Sequence, residues 1–199
     1  MPRKSRPLDR TAGVERDASI VVVACEDLYA VKQYFSKFRT RRTQFKILPT
    51  ADGNSSPRAV IERLHQYRKE YAKEEGDELW LCIDVDHWAN GNHQRELSKV
   101  LRECRQNNYG VAISNPCFEV WLLLHFTDIN DGFLCRIMGK NESEPVTEAE
   151  RDQLGCRPFA AELGALAQGY NKTRVSALNL TADQVRSATE RAHSHDQGN

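Results

Sequence analysis

The stretch Ser19-Ile20-Val21-Val22-Val23-Ala24-Cys25, followed by Glu26-Asp27, decides the fold class. Its apolar, largely β-branched residues do not alternate with polar ones. Both faces of such a strand must be buried, which is the condition of a parallel sheet. Outward from it, Leu28, Val31, Phe35 and Phe38 recur at helical spacing, and Phe45-Lys46-Ile47-Leu48 reads as a second strand. Ser56-Pro57 starts a helix, with Ser56 as cap and Pro57 at the first helical position. Val60, Ile61, Leu64, Tyr67 and Tyr71 then form one stripe, which Gly76-Asp77 ends. Residues 79–83 read as a third strand. Leu97, Val100, Leu101 and Cys104 mark a helix ending at Asn107-Asn108, and residues 110–113 a fourth strand. Pro116 is expected to open a helix running to Phe126. Strand–helix alternation at this spacing predicts an α/β fold, a parallel sheet with helices on both faces.

Four segments follow from this pattern. Residues 1–18, with Arg3, Lys4, Arg6, Arg10 and Arg16, read as a basic flexible arm, either a solvated tail or a phosphate-touching one. Residues 19–126 form the α/β core. Residues 127–193 are expected to be a mainly helical C-terminal extension, acidic and turn-rich over 127–156, with helical segments at about 158–168 and 181–193. Residues 194–199 read as a polar tail.

The chain has 199 residues, enough to bury a real core without a disulfide or metal staple. Lys+Arg and Asp+Glu are both 28, so the net charge is zero, and any nucleic-acid contact must come from local patches. The longest apolar runs are too short for a membrane span, and no signal-peptide apolar region follows the basic N-terminus. Six cysteines lack CxxC or other zinc-ligand spacing. They read as reduced thiols acting as small hydrophobes, and a cytoplasmic location is expected.

In open α/β sheets the working residues gather at the carboxyl ends of the strands. Those ends carry Glu26-Asp27, Asp84-Val85-Asp86 and Ser114-Asn115. Residues two apart in an extended segment point the same way, so Asp84 and Asp86 lean toward one place. A hard divalent cation, Mg²⁺ or Mn²⁺, would relieve their repulsion. Glu119 is the single carboxylate of an otherwise apolar helix and needs a partner: the helix N-terminus, a buried group or a metal. Asn115 is either the cap of that helix or a supporting group at the site. His87 and His93 flank the region, with His87 a weaker supporting candidate. Between Lys32 and Lys46 no acid occurs. Arg39, Arg41, Arg42 and Lys46 form a candidate phosphate track, with a solvated face as the plain alternative. Gly164 and Gly169 have phosphate-loop spacing, but Tyr170-Asn171 stand where Lys and Ser/Thr belong, and there is no GxGxxG.

Three segments together resemble the RloB-like proteins: Ile20–Phe35, Ile83-Asp84-Val85-Asp86-His87-Trp88, and Ser114-Asn115-Pro116-Cys117-Phe118-Glu119-Val120-Trp121-Leu122-Leu123-Leu124-His125-Phe126. Tyr170-Asn171-Lys172 fits that family's Tyr-x-Lys element. The resemblance spans about residues 15 to 193. It implies a Toprim-like, Rossmannoid fold and a metal-dependent nuclease of anti-phage defence, associated with an ATPase partner or a restriction locus. Under it Glu26, Asp84 and Asp86 inherit the metal site, with nucleic acid as substrate, and Lys172 a phosphate contact. The chain departs from the family pattern at Asp27, Ala30 and Val31, where Gly and a Thr-Glu pair are common. Asp27 either adds a carboxylate or caps the next helix. Two other readings compete. One is a noncatalytic partner of a defence ATPase. The other is a receiver-like signalling domain built on Glu26, Asp27, Asp84 and Ser114, for which no fifth strand ending in Lys-Pro is seen.

Overall fold

A computed structural model describes residues 3–9, 17–50, 53–85, 91–141, 144–167, 170–175 and 178–196. The chain is α/β. Strands β1 (Ser19–Cys25), β2 (Thr43–Leu48), β3 (Glu78–Asp84) and β4 (Gly110–Ser114) form one parallel sheet in the order β2-β1-β3-β4. Helices flank it, as a Rossmannoid, Toprim-like architecture requires. In chain order they are α1 (Ala30–Phe35), α2 (Pro57–Glu70), α3 (Gly91–Asn107), α4 (Phe118–Leu123), α5 (Asp131–Met138), α6 (Glu148–Gln153), α7 (Cys156–Leu166) and α8 (Ala182–Asp196). The chain divides into two compact units, one of Met1–Ile83 with Asn90–Ile113, the other of Asp84–Ala89 with Ser114–Asn199. Residues 114–126, expected in the α/β core, therefore group with the C-terminal helices.

In the first unit β1 is central, paired in parallel with β2 on one side and β3 on the other. Its alternate residues Ile20, Val22 and Ala24 join Leu79, Leu81 and Ile83 of β3 in one buried cluster. Val60, Ile61, Leu64 and Tyr67 of α2 and Val100 and Cys104 of α3 close that cluster. Each such aliphatic side chain contributes about 1.5–3 kcal/mol by leaving water. On the other face the Phe35 ring of α1 stacks on Phe45 of β2 at 5.0 Å. Gly110 is needed at the start of β4, because a Cβ there would lie 2.4 Å from the Trp80 ring.

Residues 3–9, expected as a flexible arm, are instead packed onto this unit. Lys4 makes a parallel bridge to Tyr71, with its N–H on the Glu70 carbonyl at 2.8 Å. The Arg6 side chain is almost fully covered and pairs with Asp77 at 2.6 Å. The same Asp77 oxygen accepts the Ile20 N–H at 2.9 Å. Leu8 lies against the core cluster. The basic side chains are thus drawn to acids of the same chain. This also explains why α2 stops at Glu70, before Gly76: Tyr71 turns extended to pair with Lys4.

The second unit holds α4 packed on α7 and α8, and α5 packed on α7. The helix expected from Pro116 to Phe126 is shorter. Cys117 is still extended, at φ −152° and ψ 166°, and the helical segment is Phe118–Leu123. The stretch 127–156 is less turn-rich than expected, since it contains α5 and α6. Asn130 caps α5 by accepting the Phe133 N–H. Thr147 and Glu150 cap α6 reciprocally. Residues 194–196, expected in a polar tail, continue α8.

Candidate functional site

The first unit carries β1 to its carboxyl end and β3 as far as Ile83, and Asp84, the last residue of β3, belongs to the second unit. The strands are parallel neighbours with Cys25 opposite Cys82, so both chains leave the sheet at the same edge. Glu26 is the first residue beyond β1 and is half-buried. Asp27 beside it caps α1: its Oδ1 accepts the backbone N–H groups of Tyr29, at 2.6 Å, and Ala30. Of its two expected roles, capping is the one observed. Arg63, reaching up from α2, donates Nη2 to the Cys25 carbonyl at 2.8 Å. Sequence reading missed Arg63, because nothing in a helical stripe tells how far an arginine reaches past its own helix. Burial pushes the Cys25 thiol up to about 12, with Asp27 adding to the effect, so it is inert at neutral pH.

Asp84 is the last residue of β3, on the face that carries Trp80 and Cys82. The backbone just after it is pinned, with the Val85 N–H shared between the carbonyls of Ser114 at 3.0 Å and Pro116 at 3.2 Å. Asp86 and His87 lie outside the described residues, as does the side chain of His93. Among the described residues, no group of three or more His, Cys, Asp or Glu is arranged to hold a metal. Asp86, the third carboxylate of the expected set, falls outside that count.

The basic segment is partly committed to internal contacts. Arg39 binds the Asp9 carboxylate at 2.9 Å and its carbonyl at 3.2 Å. Arg41, Arg42 and Lys46 are exposed, with Lys46 on the edge strand β2.

In the second unit Glu119 sits in the first turn of α4, 3 % exposed. Its Oε1 accepts the Tyr170 hydroxyl at 3.0 Å. The Lys172 ammonium stands 3.9 Å from the same oxygen, on a side chain that is 63 % exposed. A hydrogen bond to Cys156, then burial and the Glu119 charge, push the Cys117 thiol well above its ordinary pKa. A buried carboxylate therefore has a hydroxyl, a thiol and an ammonium around it, which offsets its loss of water. Asn115 is exposed and does not cap α4; the cap position is Cys117, which makes no side-chain capping hydrogen bond.

The model of the RloB-like protein family matches residues 21–199. This chain belongs to the RloB-like family. Comparison with curated proteins and with solved structures returned no significant match. The RloB-like match runs from inside β1 to the end of the chain and so includes the ends of β1 and β3, Glu119 and the Tyr170-Asn171-Lys172 element. Among the described residues of this RloB-like chain, no strand follows β4, as a receiver domain would require, and no helix is long and apolar enough to cross a membrane.

Proposed function

We propose that this RloB-like chain is a metal-dependent nuclease that hydrolyses phosphodiester bonds in anti-phage defence. The observation that carries the reading is the β1–β3 register. It brings two parallel strand ends to one sheet edge, each with a carboxylate at or just beyond it. Carboxylate oxygens are the donors a hard Mg²⁺ or Mn²⁺ takes, and Glu26, Asp84 and Asp86 would hold it. When bound, such an ion supplies Lewis acidity toward a phosphoryl oxygen and lowers the pKa of a bound water.

The chain's own groups have separate tasks in this reading. Glu26 acts as ligand or as general base. Arg63 fixes the backbone carbonyl that precedes Glu26. Lys172 reaches solvent and is suited to meet developing negative charge on the phosphate. Glu119 orients Lys172 through their ion pair, in addition to its expected metal role. Asp27 and Asn115 are given no step.

The test is a cleavage assay on single- and double-stranded DNA and RNA with Mg²⁺ or Mn²⁺. Asp84→Asn, Asp86→Asn and Glu26→Gln should each abolish metal-dependent cleavage while melting in EDTA stays unchanged. Cleavage by the Asp84→Asn/Asp86→Asn double variant at the wild-type rate would overturn the assignment. A wild-type chain inert on all four substrates, alone and with any ATPase found encoded beside it, would favour the noncatalytic partner reading.

A further inference from the structure

The loop that leaves β1 carries two large apolar side chains that the core does not take. Among the described residues four large apolar side chains are exposed, and two of them, Leu28 and Tyr29, are consecutive. They directly follow Glu26 and Asp27. The aromatics further along turn inward instead: the Tyr34 ring lies 4.9 Å from that of Phe38, and Phe35 stacks on Phe45. Tyr29 is held by its backbone. Its N–H donates to Asp27 Oδ1 at 2.6 Å, and its carbonyl accepts the Gln33 N–H at 2.9 Å. Arg63 fixes the same loop at the Cys25 carbonyl. The half-exposed ring thus stands on a pinned turn, close in sequence to the Glu26 carboxylate. Lys32 is exposed one helical turn on. No acid occurs from Lys32 to Lys46, and Arg41, Arg42 and Lys46 in that run are exposed as well. An exposed ring among unopposed cations suits a partner that is anionic and also offers flat apolar faces.

We propose that Tyr29, with Leu28 beside it, is a stacking platform for an unpaired base of a single-stranded nucleic acid, with Lys32 meeting the adjoining phosphate. Every base has a π-face, and an aromatic ring accepts it whatever the sequence. Inside a duplex those faces are covered by the neighbouring base pairs, and only the base edges in the grooves are open. Tyr29 therefore selects single strands, loops and frayed ends over continuous duplex. Lys32 adds a mobile point charge that follows the backbone without reading sequence. Because Tyr29 is pinned before the strand arrives, little ordering of the loop is lost on binding. The platform names a substrate class for the nuclease reading and rests on that reading for its purpose, which is to hold the strand beside Glu26.

The experiment measures binding to the full chain by fluorescence anisotropy in EDTA, where metal-dependent cleavage is silent. The probes are labelled single strands of DNA and RNA, the matching duplexes, and a strand of abasic sites with the same number of phosphates. Wild type should bind the single strands more tightly than the abasic strand. Tyr29→Ala should weaken single-strand binding by about 5–150-fold and leave the duplexes and the abasic strand unchanged. Tyr29→Phe should keep most of the affinity, and Lys32→Gln should weaken single and abasic strands alike. Melting of Tyr29→Ala should match wild type; if that variant does not fold, the wild-type comparison of single and abasic strands decides alone. Equal wild-type affinity for those two, or a Tyr29→Ala loss shared by the duplexes, would overturn the platform. Cleavage is read separately with Mn²⁺. Tyr29-dependent binding without any cleavage would overturn the nuclease reading and keep the platform. Cleavage by a wild type whose single-strand binding Tyr29→Ala does not alter would overturn the platform alone.

Discussion

His125 shows at the residue scale how burial becomes a pH dependence. It is 2 % exposed, its Nδ1 lies 3.0 Å from the Trp121 carbonyl, and its ring stands edge-on to Trp121. Burial pushes its pKa below the ordinary value of 6.5. The unfolded chain therefore takes up the proton first as pH falls. The stability tied to neutral His125 is complete above about pH 6.5 and is lost progressively below it, down to the folded-state pKa. Wild-type melting temperature should fall between pH 7.5 and 5.5, and His125→Gln should flatten that part of the profile. An equal slope in both would assign the acid sensitivity to other groups. Glu119 illustrates what single residues disclose. A lone carboxylate in Phe118-Glu119-Val120-Trp121-Leu122 announces that it needs a partner. That the partner is Tyr170, 51 residues away, is a property of the folded chain alone.

Among the elements, the strands were the most legible. Residues 19–25 were expected and are observed as β1, and β2 to β4 differ only at their ends. Continuous apolar runs buried on both faces leave little choice of structure. Ser56 likewise caps α2 as expected, accepting the Ala59 N–H at 3.2 Å. Ser56→Ala should cost about 1 kcal/mol in urea unfolding, with Ser56→Asp restoring it. The short helices were obscured. Thr147 and Glu150 spell a capping box, but the acidic run around them resembles a solvated turn. α5 was hidden by Gly132 and by its eight-residue length. Gly110 gives a second test at this scale. Gly110→Ala should push β4 off the Trp80 ring and destabilise the first unit by about 1–3 kcal/mol. Adding Trp80→Leu should recover part of that loss, and a neutral Gly110→Ala would mean that β4 shifts freely.

On the scale of the whole molecule, charge is balanced, and most of the balance is local. Arg39 is already paired with Asp9, so neutralising it should change nucleic-acid binding less than neutralising Arg41 or Lys46. For each phosphate that Arg41 or Lys46 no longer neutralises, the log–log salt slope should fall by about 0.7–0.9. An unchanged slope would make the segment a solvated face. The Arg6–Asp77 pair belongs to the same balance. Side chains 6 % and 2 % exposed cannot exchange their partner for water. Arg6→Ala should therefore cost about 3–5 kcal/mol, because it strands the Asp77 charge. The basic N-terminal composition suggested the opposite, since a count of arginines does not show that Asp77 is waiting for one.

Arg6 and Asp77 are 71 positions apart. A ribosome adds about 5–20 residues per second, so about 4–14 s pass between the synthesis of the two. Throughout that interval β1 can be made while the acid that receives both Arg6 and the Ile20 N–H does not yet exist. The start of the sheet is therefore closed late, by a residue downstream of it, and the nascent chain carries an exposed apolar strand until Asp77 leaves the exit tunnel.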